Sequence, residues 1–227
     1  MKRMWLAIAV VALSLGLACR ADAQMGMGMF QRPAIAKFVN PVVGKGAQYD
    51  TVRTGAKGEK ASTIELAVVG KESVEGKEGF WMEFASTDEK GQSVVGKILM
   101  SRDDFQTHRT IMQLHGQPAM EMPVGMGGKR ENNMAESMAE WQQVGSESIT
   151  VPAGTFVCEH YKNEKNGSEM WASEKVSPFG MVKMVSKTET MVLAKQLTDV
   201  QDRITGPVTK FDPQMMMQQM QREHPQQ

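Results

Sequence analysis

A cysteine and a histidine two residues apart are the first candidates for chemistry in this chain. The segment SITVPAGTFVCEHYK, residues 148–162, contains Cys158 and His160. Residues i and i+2 of a strand project from the same face, so the thiol and the imidazole could touch. A cysteine nucleophile also needs an oriented base and an oxyanion site, and no other motif in the sequence indicates them. We therefore expect Cys158 to be a buried or half-buried strand residue, and we expect no enzyme.

Metal-ligating residue types are few and poorly spaced for zinc. The candidates are Cys158, His108, His115, His160 and His224. Zinc needs three or four ligands, and its structural sites show short, recognisable spacings that are missing here. His108 and His115 are seven residues apart and would project from opposite faces of a strand. The sequence predicts no zinc site and no cofactor.

Methionine is abundant, with 21 residues in the chain. Two clusters lie outside the expected core and contain Met25, Met27, Met29, Met215, Met216 and Met217. A third lies in PAMEMPVGMGG and contains Met120, Met122 and Met126. Thioethers are soft ligands that select Cu(I), and the M-x-M spacing resembles that of copper-resistance proteins. Methionine also fills irregular apolar gaps without any metal, so copper binding is an alternative to a packing role.

The charges of the chain are balanced, with 26 basic and 26 acidic residues. This balance gives no basic surface of the kind that binds nucleic acid. The carboxylate pair Asp103–Asp104 lies in SRDDFQ, which is typical of a solvated turn. An acid–base pair would need one buried carboxyl group, so neither nucleic-acid binding nor carboxylate catalysis is predicted.

The N-terminus has the order of a secretory signal peptide. Lys2 and Arg3 precede an uncharged apolar run over residues 6–18, and Ala21–Ala23 forms an A-x-A cleavage site. The run is shorter than the about 20 residues that span a bilayer. We expect cleavage after Ala23 and a periplasmic or secreted protein, with no membrane-spanning segment. Lipidation at Cys19 is the minor alternative.

Short alternating segments dominate the body of the chain. STIELAVV places Ile64, Leu66 and Val68 on one side, and GFWMEFAS alternates in the same way. Turn signals such as TDEKGQ, EKNGS and VSPFG separate such segments. The pattern predicts a mainly β fold of about eight to ten antiparallel strands. The expected organisation is a signal peptide at 1–23, a flexible N-terminal segment at 24–45, a curved antiparallel β domain at 46–212 and a Met- and Gln-rich disordered tail at 213–227.

One segment has helical rather than alternating spacing. ENNMAESMAEWQQ, residues 131–143, places Met134, Met138 and Trp141 at i, i+4 and i+7. Asn133 can cap this segment, with Glu136 three residues later. The spacing predicts a short amphipathic helix that lays Trp141 over one face of the sheet.

The second half of the chain resembles a known superfamily. The motif VPAGTF at residues 151–156 is followed by a short strand, a hairpin, WAS at 171–173 and PFGMVK at 178–183. This run resembles exported bacterial domains of unknown function in the superfamily of the outer-membrane lipoprotein carrier (LolA-like half-barrels). The resemblance implies a strongly curved, unclosed sheet with one or two short helices over an apolar concave side, which holds acyl chains in the carriers. The arginine that gates the carrier pocket has no counterpart here.

These features predict an exported, non-enzymatic binding protein. Some strands are apolar on both faces, so they are either sandwiched or line a cavity. The candidate residues for a lipid-like ligand are Phe80, Trp81, Met82, Phe84, Met112, Trp141 and Trp171. The alternatives are a Cu(I)-binding periplasmic protein and a scaffold that binds a protein partner through an exposed strand edge.

Overall fold

The computed structural model describes residues 34–55, 58–87, 93–124 and 139–212. Within these ranges, one 3₁₀ helix, Ala34–Phe38, precedes twelve strands. The strands are β1 Gly46–Gly55, β2 Gly58–Val74, β3 Lys77–Thr87, β4 Ser93–Ser101, β5 Thr107–Leu114, β6 Ala119–Met122, β7 Trp141–Val151, β8 Gly154–Asn163, β9 Ser168–Ala172, β10 Met181–Val185, β11 Glu189–Leu197 and β12 Val208–Lys210. The predicted mainly β fold is confirmed.

All twelve strands belong to one sheet, in the order β12-β6-β5-β4-β3-β2-β1-β11-β10-β9-β8-β7. Strands β1 to β6 form one antiparallel meander, and β7 to β11 form another. Antiparallel pairing of β1 with β11 joins the two halves, and β12 adds to β6 in parallel. The sheet is open, with β12 and β7 at its two edges.

The second half of the sheet curls back on itself. The backbone N–H of Ala153, in the β7–β8 turn, donates a hydrogen bond to the carbonyl oxygen of Leu193 on β11 at 3.3 Å. Strands β9 and β10 lie between β8 and β11 in the sheet. Because neighbouring strands are about 4.8 Å apart, a flat sheet could not make this contact. The expected strong curvature is therefore present in this half.

Two buried tyrosines fill the curled half. Tyr49 and Tyr161 have no exposed surface, and the Tyr49 hydroxyl donates to the carbonyl oxygen of Met181 at 3.0 Å. Phe38, at the end of the 3₁₀ helix, packs edge-to-face on Tyr161 with ring centroids 5.9 Å apart. The short helix thus covers this core, although it is 3₁₀ and not the predicted amphipathic α-helix.

The expected boundary of the β domain at residue 46 excludes two residues that pack in the core. Ala36 and Phe38 are only 4% and 2% exposed. Ala36 packs in a second core with Phe80, Met82 and Phe105. These two side chains therefore join the core from the segment that precedes β1.

A long connection crosses the first half of the sheet. Residues 198–207 link β11 to β12 and pass from one side of β1 to the far side of β6. Seven strand spacings of about 4.8 Å add up to about 34 Å, which is close to the fully extended reach of this connection. We call residues 198–207 the crossing segment. It lies over the side chains of Glu83 and Lys97.

The predicted helix over residues 131–143 is wrong at its C-terminal end. Trp141 begins β7, which pairs with β8 from Trp141↔Asn163 to Val151↔Gly154. Pairing with a neighbouring strand overrides the local helical spacing. Residues 131–138 lie outside the described residues.

The sequence predicts about eight to ten strands, fewer than the twelve of the structure, and the strands it does not indicate are β1, β6 and β12. β1 contains Gly and charged residues, and β6 and β12 have only four and three residues. Such short strands carry too little alternation to be recognised alone.

Candidate functional site

The seven predicted ligand residues fall into separate environments. Phe80 and Met82 are each 2% exposed and pack against Ala36 and Phe105. Their surface is thus already covered by the chain itself. Only Phe84 and Met112 lie together on a face that is half-buried.

Strand register defines an apolar surface around this pair. On β3, β4 and β5, Phe84 lies opposite Gly96, which lies opposite Met112. On β6, Met120 lies opposite Met112. Directly opposed residues of neighbouring strands project from the same face. The surface, here called the platform, consists of half-buried Phe84, Val94, Met112, Leu114, Met120 and Met122.

Gly96 lies at the centre of the platform, under the side chains of Phe84 and Met112. A Cβ atom at Gly96 would lie 2.2 Å from Phe84 Cζ and 2.5 Å from Met112 Sδ. The aromatic ring and the thioether therefore lie over Gly96 in the space that a side chain would occupy. Phenylalanine–sulfur contacts of this kind are favourable and adaptable, because the thioether is polarisable and has several rotamers.

The opposite face of the same strands, here called the polar face because it buries Glu83 and Lys97, also carries apolar Ile111 and Ala119 and is covered by the crossing segment. Lys97 Nζ lies 2.5 Å from an Asp202 carboxylate oxygen and donates to the carbonyl oxygen of Ile204 at 3.1 Å. The backbone N–H of Arg203 donates to Glu83 Oε2 at 2.9 Å. Burial raises the pKa of Glu83.

Trp81 belongs to this polar face and not to the platform. Its ring lies 5.2 Å from both Lys97 Nζ and the Arg109 guanidinium carbon. Its indole N–H donates to Glu72 Oε2 at 2.9 Å. These contacts are cation–π and hydrogen-bond interactions of a structural kind, and they place Trp81 away from Phe84 and Met112.

The last two predicted tryptophans lie in the curled half. Trp171, on β9, is 9% exposed and stacks on His160 with ring centroids 4.3 Å apart. Its indole N–H donates to Glu147 Oε1 at 2.7 Å. Trp141 is half-buried at the start of β7 and packs against the curled core. Neither tryptophan joins the platform.

Cys158 is a buried residue of β8, as expected. It is 1% exposed, and its thiol lies 3.6 Å from the carbonyl oxygen of Phe156. Burial, together with the charge of Glu147, raises the pKa of the thiol to about 11. His160 is engaged with Trp171 and with Glu169, whose carboxylate lies 3.0 Å from Nε2. The thiol is therefore protonated at neutral pH, which is the less nucleophilic form.

The motif VPAGTF forms the corner between β7 and β8. Val151 pairs with Gly154, so Pro152 and Ala153 make the turn. Gly154 has φ of 128°, a conformation that favours glycine. Phe156 then packs in the curled core.

The described residues contain no group of three or more His, Cys, Asp or Glu side chains arranged to hold a metal ion. The six methionines of the predicted copper clusters, residues 25–29 and 215–217, lie outside the described ranges. Within those ranges, no helix has the length and apolarity to cross a membrane.

Four platform residues were missed by the sequence analysis as ligand residues. Only the register of β4, β5 and β6 shows that these residues share one face of the sheet: Val94, Leu114, Met120 and Met122. In the sequence, Met120 and Met122 of PAMEM belong to the third methionine cluster and are not predicted to lie on a strand. Their alternation with Glu121 is the signal that would have indicated a strand.

Comparison with known proteins gives low similarity. No family model and no curated protein match the chain. Three solved structures resemble parts of it at 12–14% identity. One is described as a candidate lipoprotein from Parabacteroides distasonis and matches 70% of this chain and 97% of that chain, with a TM-score of 0.38.

The second is described as a candidate exported protein with a YmcC-like fold from Bacteroides fragilis; at 12% identity, it matches 70% of this chain and 98% of that chain, with a TM-score of 0.37. The third is MucB, at 12% identity and a TM-score of 0.39, with 74% of this chain matching 57% of that one. MucB is also known in complex with MucA(peri). At these identities and TM-scores, the three solved structures do not indicate the function of this chain.

Proposed function

We propose that this protein is an exported, non-enzymatic binding protein that holds a lipid-like or other hydrophobic ligand on the platform. The observation that carries the proposal is the continuous apolar surface of Phe84, Met112 and Met120, half-buried across β3 to β6. Binding sites for apolar ligands are lined by such side chains.

The composition of the platform suits an acyl chain. Methionine and leucine side chains are flexible, and methionine adapts to ligands of varied shape. All six platform side chains are uncharged, whereas Glu83, Lys97 and Arg109 belong to the opposite face. Thr110 shares the platform face beside Met122 and can contact a polar head group.

The location of the protein in the proposal follows from the N-terminal sequence. Lys2 and Arg3, the apolar run over residues 6–18 and the A-x-A site at Ala21–Ala23 direct export. Hydrophobic molecules need protein cover in an aqueous envelope compartment, so an exported chain with an apolar binding face fits that role. The raised pKa of Cys158 argues against a role of this thiol as a nucleophile.

Titration with a dansyl-labelled fatty acid tests the ligand. Leu114→Gln and Met122→Gln place an amide on the platform and should each weaken binding about tenfold, since the lost apolar contact is worth roughly 1.4 kcal/mol. Val157→Gln is the matched control, because Val157 is 74% exposed on β8 and lies outside the platform. Absence of binding by the wild type, or equal binding by the platform variants, would contradict the proposal.

A second function is favoured by the opposition of Met112 and Met120. These two thioethers lie on adjacent strands in direct register, and Met122 is on the same face. Three thioethers could bind Cu(I). Under reducing conditions, a Met112→Leu and Met120→Leu double variant should lose copper binding if this site is used, and unchanged uptake would exclude it.

A further inference from the structure

The edge strand β7 is exposed over most of its length. Seven consecutive residues, 142–148, are exposed, which includes both faces of the strand. Among the described residues, β8 is its only hydrogen-bonded neighbour strand. Val144 on β7 is 53% exposed and Val157 on β8 is 74% exposed. A long strand at the end of a sheet carries backbone donors and acceptors that point outward.

The sequence of this edge has little protection against added strands. WQQVGSESITV, residues 141–151, contains no lysine, arginine or proline, and these are residues that block edges in natural sheets. The protective features of this edge are a bulge between Gln143 and Gly145, near the start of the strand, and the single charge of Glu147. Residues 146–151 continue in regular register.

The edge is also held in a fixed position at several points. Trp171 on β9 reaches across β8 to donate its indole N–H to Glu147. At one end, Lys165 Nζ lies 2.5 Å from Glu140 Oε1. At the other, the turn residue Ala153 is hydrogen-bonded to Leu193. A preorganised edge lowers the entropy cost of adding a strand.

The charge on β7 indicates the chemistry of the partner. Glu147 is the only charged residue between 141 and 151, and its side chain is 51% exposed. Antiparallel pairing of two copies centred on this residue would place two carboxylates opposite each other, which is unfavourable. A strand with a basic residue at that position would instead form a favourable cross-strand pair.

We propose that the β7 edge binds an extended segment of a partner protein by strand addition, with a lysine or arginine of that segment opposite Glu147. Backbone hydrogen bonds supply most of the affinity in this mode, and alternate side chains supply selectivity. The site is separate from the platform, so the two can be occupied independently.

A displayed library of random linear peptides, selected on the mature full-length protein, tests this proposal. The expected peptides alternate β-branched residues and carry one central lysine or arginine. When synthesised, they should slow amide hydrogen exchange in residues 141–151 and leave β12, the opposite edge, unchanged. Replacing the central basic residue by glutamate should weaken binding about two- to fivefold, as for an exposed ion pair.

Two protein variants sharpen the result. Ser148→Lys adds an edge charge and should repel basic peptides, whereas Glu147→Gln keeps an acceptor for Trp171 and should remove the preference for a basic residue. Both should keep the wild-type circular dichroism spectrum. The proposal is overturned if bound peptides do not slow exchange in β7, or if the library enriches no β-prone basic sequences. It is also overturned if β7 becomes protected with rising protein concentration in the absence of peptide, because that would show pairing with a second copy.

Discussion

Lys97 on β4 and Asp202 on the crossing segment form an ion pair with 2.5 Å between Nζ and the carboxylate oxygen. The lysine side chain is 9% exposed and the aspartate side chain 32% exposed. Lys97 Nζ also donates to the carbonyl oxygen of Ile204, whose side chain packs against Ile111. The ammonium group of Lys97 thus holds the crossing segment against the polar face of the sheet.

Replacement of Lys97 by methionine should destabilise the protein. The variant keeps the length of the side chain but leaves Asp202 without its cation and the Ile204 carbonyl without its donor. Because Asp202 is partly solvated, the loss should be about 1–3 kcal/mol, below the range for a fully buried pair. Urea denaturation followed by tryptophan fluorescence measures it. Lys195→Met on β11 is the control, since Lys195 is exposed; equal stability of both variants would contradict a fastening role.

Glu83 should make stability depend on pH. Burial raises its pKa in the folded protein, so the folded state binds a proton more readily than the unfolded state. The stabilisation is complete below the unfolded value of about 4.3 and is lost as the pH rises through the folded pKa. Glu83→Gln keeps an acceptor for the Arg203 N–H and removes the titration.

The stability of Glu83→Gln relative to wild type should therefore increase with pH. Denaturation curves at several pH values from about 4 to about 7 measure the difference in unfolding free energy between the two proteins. A control variant, Glu164→Gln, changes an exposed carboxylate on the β8–β9 turn. A difference that stays constant or shrinks as the pH rises is inconsistent with a raised pKa at Glu83.

The fold was more predictable from the sequence than the candidate site was. Alternation of Ile64, Leu66 and Val68 is a local signal, and it identifies β2 without knowledge of its neighbours. For β7, the segment ESITV indicates a strand over residues 147–151 only, and the first part of β7 is a strand because it pairs with β8. The spacing of Met134, Met138 and Trp141 indicated a helix, which is wrong at Trp141.

The platform depends on register, and register is a property of pairs of strands. Phe84 and Met112 were selected as apolar strand residues, yet Phe80, Met82 and Trp171 had the same local pattern and are buried. Phe80 and Met82 share the face of Phe84 on β3, but Ala36 and Phe105 cover them, whereas Phe84 and Met112 lie over Gly96 and stay half-buried. A one-residue shift in register would have exchanged the two faces.

Cys158 should be almost unreactive in the native protein. Its pKa is raised to about 11, first by burial and then by the charge of Glu147, so the thiolate fraction at neutral pH is very small. Iodoacetamide labelling, followed by mass spectrometry, should be far slower in the folded protein than after denaturation in urea. Labelling faster than that of free cysteine would contradict the structural role. Cys158→Ala should cost about 1–2 kcal/mol, as for loss of a small buried side chain.

Gly96 allows the sharpest test of the platform. In Gly96→Ala the new methyl group would lie 2.2 Å from Phe84 Cζ and 2.5 Å from Met112 Sδ, so both side chains must move. Overpacking of this kind costs about 1–3 kcal/mol, and the displaced ring and thioether should also weaken binding of the labelled fatty acid. Gly55→Ala is the matched control, because a Cβ atom there meets nothing within 4 Å. A Gly96→Ala protein as stable as Gly55→Ala would show that the platform side chains rearrange without cost. Normal stability together with normal fatty-acid binding would place the ligand elsewhere. A loss of binding larger than the loss of stability would place the ligand against Phe84 and Met112.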